Sequence, residues 1–340
     1  MIERNEAKKL VIRAGRELSD SGLIARTWGN VGARVSPYTF VITASGIPYE
    51  DLTENDVVEV SMSDLTYKGR VKPSSEKKLH RRIYQVRPEV DFILHTHQDY
   101  ASAVSAMGLD HVWFDREYEG IGPGVLCAKY ALPGTQALCK NVGDSVAAAL
   151  GGAVIMKRHG AVCYGRTYEE VFRIAHNLEE ACGNYIETVS PMLKRDLDEY
   201  GTEDGSIYLT DEEKMQGYEA VLNKDKVVMD YLGMDMDMPA YLDDFAQMIG
   251  PRAKFVSNHE EAVRAALKKA PAVLIDGEGV LCTGVNGDAT AVSMLVRKNC
   301  IAYFAAASLG KARKLSTRDA VFMRRFYVTK YSKMQGKQQK

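Results

Sequence analysis

Cysteine is sparse in this chain. Six residues among 340, Cys127, Cys139, Cys163, Cys182, Cys282 and Cys300, are scattered without C-x-x-C spacing. That spacing excludes a disulfide framework and a cysteine-held zinc, and marks them as reduced, mostly buried small hydrophobes. Long apolar runs are absent too; none approaches the roughly 18 residues of a membrane span. The opening Met1-Ile2-Glu3-Arg4-Asn5-Glu6 lacks a signal peptide's apolar region, so a cytoplasmic protein is expected. A net charge of −1 removes any general electrostatic reason to expect nucleic acid or membrane partners. The basic end, from Arg324 and Arg325 to Lys340, reads as a solvated tail.

What remains is an ordinary globular composition, 46% hydrophobic and 26% charged, in a chain long enough for two units. Its most informative feature is His95-Thr96-His97, which ends the apolar run Val90-Asp91-Phe92-Ile93-Leu94. Strand side chains repeat every two residues, so a strand here delivers both imidazoles to one face. Two imidazoles on one face are half of a zinc site, and a catalytic zinc takes three protein ligands. His159 is the best third: it ends another apolar run, Ala153-Val154-Ile155-Met156, and precedes a turn-permitting Gly160. His80, His111, His176 and His259 have no partner at ligand spacing. Ordinary strand-end histidines without a metal are the alternative.

Periodicity predicts a helix over residues 6–22 and short strands at Val31–Val35, Phe40–Thr43 and Val57–Ser61. A helix over Ser75–Val86, the strand bearing His95 and His97, and a helix at Ala101–Met107 follow. Another helix runs from Gly134 or Thr135 to about Leu150, and a long one from Tyr168 to Val189. The pattern is α/β with mixed, largely antiparallel short strands. The stretch from about 196 to 250 reads as a charged, Met-rich helical bridge. Beyond it lies an internal repeat: shifted by 119 positions, Ala153, Gly160, Cys163 and Gly165 fall on Ala272, Gly279, Cys282 and Gly284. Glu278 then stands where the first copy has His159, so residues 251–340 are expected to be a degenerate half-repeat without a metal site.

Lys72-Pro73-Ser74-Ser75-Glu76 offers hydroxyls and backbone N–H groups at a helix start, which suits an anion or simply caps the helix. Thr27-Trp28-Gly29-Asn30 and Thr43-Ala44-Ser45-Gly46-Ile47-Pro48 are further turns with free amides. Together with Leu52-Thr53, His80, His95-Thr96-His97, Tyr130-Ala131, Gly134-Thr135 and His159-Gly160, these segments resemble the class II aldolase/adducin family in its L-fuculose-1-phosphate aldolase branch. The resemblance spans roughly residues 5–190. It implies a three-layer α/β/α fold over residues 1–195 and one Zn²⁺ per subunit held by His95, His97 and His159. It also implies a phosphate pocket from Gly29, Asn30, Ser45, Gly46, Ser74 and Ser75, and a homotetramer with sites between subunits.

The chemistry so implied is reversible cleavage of a ketose 1-phosphate, a small phosphorylated sugar, into dihydroxyacetone phosphate and an aldehyde. Zinc would stabilise the enediolate as a Lewis acid, and Glu76 would move the proton on and off C3. The family's proton-donating tyrosine falls nearest Tyr118, out of clear register, where an ordinary amphipathic aromatic is the other reading. A closing C-terminal tyrosine has no counterpart. Sugar-phosphate 4-epimerases carry aspartate where Glu76 stands; a dehydratase of the same superfamily or a metal-free adducin-like scaffold are the remaining alternatives.

Overall fold

The computed structural model describes residues 1–24, 28–193 and 201–331. The chain divides into two compact units, one of residues 1–185 and one from residue 186 onward.

The first unit is an eight-stranded sheet between helices. It opens with helix α1 (Arg4–Asp20), whose Ala7, Val11, Ala14 and Leu18 form the buried stripe that the 3.6-residue period predicts. Strands β1 (Asn30–Arg34), β2 (Thr39–Thr43) and β3 (Val57–Ser61) follow. Then come α2 (Lys77–Val86), β4 (Phe92–Thr96), α3 (Asp99–Ala106), β5 (His111–Tyr118) and β6 (Gly122–Ala128). The unit is completed by α4 (Gln136–Ala148), β7 (Ala153–Met156), β8 (Gly160–Gly165) and most of α5 (Tyr168–Val189). Spatial order is β3-β2-β1-β4-β8-β7-β6-β5, and only the β6–β7 pairing is parallel. The mixed, largely antiparallel α/β expectation therefore holds.

One face of the sheet packs on α2 and α4. Phe40, Ile42, Ile93, Val154 and Val162 meet Leu79, Ile83, Leu138 and Val142 there in one buried cluster. Ile93 belongs to this face, and period two puts His95 on it as well. β5 and β6 were not expected from the sequence. β5 is an edge strand whose Asp115, Arg116 and Glu117 are exposed, and β6 begins Gly-Pro-Gly, so the apolar stretch of each is cut to residues 112–114 and 125–128.

The second unit has its own sheet, in the order β11-β12-β13-β14-β10-β9. Its strands are β9 (Thr202–Asp204), β10 (Tyr218–Asn223), β11 (Met238–Pro239), β12 (Arg252–Val256), β13 (Ala272–Ile275) and β14 (Gly279–Val285). Helices α6 (Asp211–Met215), α7 (Lys226–Leu232), α8 (Asp243–Met248), α9 (Glu260–Leu267), α10 (Asp288–Ser308) and α11 (Thr317–Phe326) accompany them. The region read as a helical bridge thus supplies three of the six strands. β9 is fully exposed, β11 is two residues long, and Gly201, Gly205 and Gly217 break the pattern between them, so no period survives for a sequence reading to detect.

The repeat seen in sequence is a repeat of topology. In the first unit β5–β6 is antiparallel, β6–β7 parallel, and β7–β8 and β8–β4 antiparallel. In the second, β11–β12, β12–β13, β13–β14 and β14–β10 follow the same sequence of senses. The hairpins agree in register: Ala153 pairs with Cys163 and Met156 with Gly160, as Ala272 pairs with Cys282 and Ile275 with Gly279. Their turns agree in backbone, since Arg158 and Gly277 both have positive φ, 65° and 73°. Gly160 and Gly279 are both pressed against the neighbouring strand: an added Cβ would meet the carbonyl oxygen of Thr96 at 2.3 Å or of Asn223 at 2.8 Å.

α10 is held inside the second unit by two buried ion pairs, Arg297 to Asp225 at 2.8 Å and Lys298 to Asp244. Removing one partner strands a charge where water cannot reach it. Arg297→Met should lower stability by about 3–5 kcal/mol in urea unfolding followed by circular dichroism. The double variant Asp225→Leu/Arg297→Met should recover much of that loss, because no unpaired charge remains.

Candidate metal centre

β4 and the β7–β8 turn build the site between them. β8 pairs with β4 so that His95 lies opposite Val162 and Thr96 opposite Ala161, which brings the turn residue His159 beside the end of β4. β4 itself ends at Thr96, leaving His97 one residue past the strand. The close approach of Gly160 to Thr96 is what lets the turn sit there; any side chain at 160 would push His159 away.

The three imidazoles face one another. Ring centroids are 4.7 Å apart for His95 and His97, 5.0 Å for His95 and His159, and 4.9 Å for His97 and His159. One nitrogen from each lies within 4.8 Å of the other two, a grouping found nowhere else among the described residues. His95 Nδ1 donates to the carbonyl of Ala161 at 2.8 Å, which fixes the tautomer and turns the Nε2 lone pair inward. His97 Nε2 lies 3.0 Å from that lone pair, a separation that requires a proton or a cation between them. All three side chains are at most 4% exposed. Three buried imidazoles aimed at one point are, once deprotonated, a donor set that can hold a borderline divalent ion.

Glu76 closes the group. Its carboxylate oxygens lie 3.2 Å from His95 Nε2 and 3.4 Å from His159 Nε2, and Asn30 Nδ2 donates to Oε2 at 2.9 Å. Burial favours its protonated form, but the two imidazoles and Asn30 outweigh burial and hold its pKa well below the ordinary carboxylate value. Glu76 precedes α2 directly, and Ser74 Oγ accepts from its N–H at 3.2 Å.

The segments expected to meet an anion lie together. Ser45 N–H donates to the Lys72 carbonyl and Ser74 N–H to the Thr43 carbonyl, both at 2.9 Å, so the 43–46 and 72–75 loops form one paired edge. Ser45 and Gly46 are half-buried, Ser74 buried and Ser75 exposed. Gly29 has φ 99° and packs against the His95 carbonyl, where a Cβ would come within 2.5 Å. Thr27, quoted in the resemblance, lies outside the described residues.

Two residues stand differently from expectation. The Asn30 side chain turns toward Glu76 and His80. Tyr118 ends β5 at the far edge of the sheet, with β6, β7 and β8 between it and β4, and its hydroxyl accepts from Asn184 Nδ2 at 2.7 Å. One chain therefore does not bring Tyr118 to the histidines. The sequence reading also set His80 aside. It is fully buried, and burial pushes its pKa down from 6.5 to about 3.

That shift has a stability consequence. Above pH 6.5 neither the folded nor the unfolded chain protonates His80, whereas between 6.5 and 3 only the unfolded chain does, so stability falls as pH drops. Metal-free protein should lose roughly 2 kcal/mol between pH 6.5 and 5 in urea titrations. His80→Gln should flatten that slope.

The sequence from residue 9 to 186, just over half of the chain, matches the model of the class II aldolase and adducin N-terminal domain. The L-fuculose phosphate aldolase of Escherichia coli strain K12 is 30% identical over 191 residues, 56% of this chain and 86% of that protein. A 5-deoxy-D-ribulose 1-phosphate aldolase of Bacillus thuringiensis is 27% identical over 56% of this chain and 88% of its own length. A solved L-fuculose 1-phosphate aldolase structure superposes with a TM-score of 0.51 at 26% identity, covering 54% of this chain and 85% of the other. The family match covers the part of the chain that carries the histidines. The chain belongs to the class II aldolase/adducin family, its first unit being an aldolase of the L-fuculose-1-phosphate aldolase type.

Proposed function

We propose that the protein is a zinc-dependent lyase that reversibly cleaves a ketose 1-phosphate into dihydroxyacetone phosphate and an aldehyde. The observation that carries this reading is the meeting of His95, His97 and His159 with the Glu76 carboxylate in one buried cluster. A zinc ion held by the three imidazoles would supply a Lewis acid for the enediolate left when the C3–C4 bond breaks. Glu76, ionised at neutral pH, would take and return the proton at C3. The phosphate would rest on Gly29, Ser45, Gly46, Ser74 and Ser75. Because Glu76 directly follows Ser75, binding the remote phosphate also places C3 against the carboxylate. Asn30 would contribute beside the carboxylate instead. Tyr118 would donate a proton to the departing aldehyde oxygen from a neighbouring copy in a homotetramer, since it lies across the sheet from its own chain's histidines.

For the second unit we propose a copy that kept the packing and lost the chemistry. Strand register puts Leu222 in the place of His95, and two residues on Lys224 replaces His97. Glu278 replaces His159, and Glu203 stands where Asn30 does. Lys224 Nζ bonds Glu203 at 2.7 Å, so a fixed ammonium takes the part a metal cation would have played.

Incubating zinc-loaded protein with dihydroxyacetone phosphate and a panel of short aldehydes should yield a ketose 1-phosphate. No condensation there, or an epimer or a dehydrated ketone as the sole product from a ketose 1-phosphate substrate, would overturn the lyase reading. His95→Ala should remove most bound zinc. Glu76→Gln should keep the zinc and lose at least about 100-fold in turnover, the scale of a general acid–base contribution. The triple variant Leu222→His/Lys224→His/Glu278→His should bind a second metal equivalent per chain, measured by elemental analysis. A folded triple variant with no gain would count against the copy.

A further inference from the structure

Asn30 joins two parts of the candidate site that have no covalent link nearby. It begins β1 and pairs in register with His95 on β4, so its backbone is tied to the strand that carries a histidine of the cluster. Its side chain reaches to α2. Nδ2 donates to Glu76 Oε2 at 2.9 Å, and Oδ1 meets His80 Nε2 at 2.5 Å. A carboxylate can only accept, so the amide must turn its NH₂ to Glu76 and its oxygen to His80. Oδ1 then requires a donor, which makes His80 the Nε2–H tautomer. The result is an ordered chain, His80 Nε2–H to Asn30 Oδ1 and Asn30 Nδ2–H to Glu76 Oε2.

The far end of this chain is built to stay still. His80 lies four residues after Glu76, one helical turn along the same face, and is completely buried. Its ring is stacked on Phe40 at 6.5 Å and edged by Tyr84 at 6.4 Å. Gly32 makes room for it, since a Cβ there would come within 2.4 Å of His80 Nδ1. Among the described residues this imidazole has one hydrogen-bond partner, the amide that holds the carboxylate.

We propose that His80 and Asn30 are positioning residues for Glu76: the buried imidazole orients the amide, and the amide fixes one carboxylate oxygen so that the other is presented to the substrate. The proposal rests on the acid–base role given to Glu76 above. Without the strap, the Glu76 side chain would turn among rotamers beside the phosphate loop, and substrate would bind as before while proton transfer slowed.

The test is steady-state cleavage by His80→Leu and His80→Gln, each with zinc content and unfolding midpoint recorded. His80→Leu should lose about 10- to 100-fold in kcat, the usual cost of removing a residue that orients an active-site group. KM for the phosphorylated ketose and bound zinc should stay within about twofold of the wild type. His80→Gln, whose amide N–H can still reach Asn30 Oδ1, should recover most of that kcat. Equal losses in both variants, or a loss confined to KM or to zinc, would overturn the proposal. A second measurement needs neither turnover nor a variant: NMR of wild-type protein carrying isotope-labelled histidine should show His80 as the Nε2–H tautomer. An Nδ1–H tautomer would refute the strap even if the enzyme is an aldolase, whereas a wild type that shows the expected tautomer and cleaves no ketose phosphate would sink only the function it serves.

Discussion

Everything at the candidate site depends on one electrostatic constraint: three imidazoles and a carboxylate share a volume from which water is largely excluded. Polar groups so placed cost free energy unless each finds a partner. His95 meets that demand on one side through the Ala161 carbonyl, and Glu76 through Asn30. The inward-facing nitrogens form a cluster whose donor set suits a divalent cation. The surrounding sheet exists to hold that cluster open. Gly160 and Gly29 let backbones approach the end of β4 closely, and the 43–46 loop pairs with the 72–75 loop that leads into Glu76. Positioning and chemistry are therefore carried by the same short contacts.

The second unit separates those two roles. It reproduces the order and sense of five paired strands, the turn with a positive φ, and the pressed glycine, all of which are requirements of the backbone. The side chains at four matching points differ: leucine and lysine stand where the first unit has His95 and His97, and glutamates stand where it has His159 and Asn30, with Lys224 bonded to Glu203. Both hairpins, β7–β8 and β13–β14, bury the strand residues before and after the turn, whichever residue the turn itself carries.

Much of this was legible beforehand. α1, the three strands after it, β4, α4 and α5 announce themselves through a strong period, because each buries one stripe or one face. His95 and His97 are visible together since strand geometry makes i and i+2 neighbours, and His159 is visible because an apolar run ended in a histidine and a glycine. β5, β6, β9 and β11 were not legible. Edge strands such as β5, β9 and β11 carry little hydrophobic signal, and the interior β6 begins Gly-Pro-Gly, which leaves it only a short apolar stretch. His80 was passed over for a related reason: a histidine on a helix gives no local indication that Phe40 and Gly32 from two strands will enclose it together with Tyr84 of its own helix.

The sequence by itself determined which histidines are candidates to meet around one point, because residue type and short-range spacing are local properties. It also determined that the hairpin around His159 recurs 119 positions later without its histidine. Tertiary structure alone decided that Asn30 faces Glu76, that Tyr118 lies across the sheet from its own histidines, and that the stretch after residue 200 joins a second sheet. Those outcomes follow from strand order and register, which place residues dozens of positions apart within hydrogen-bond reach and are set by the packing of the whole unit.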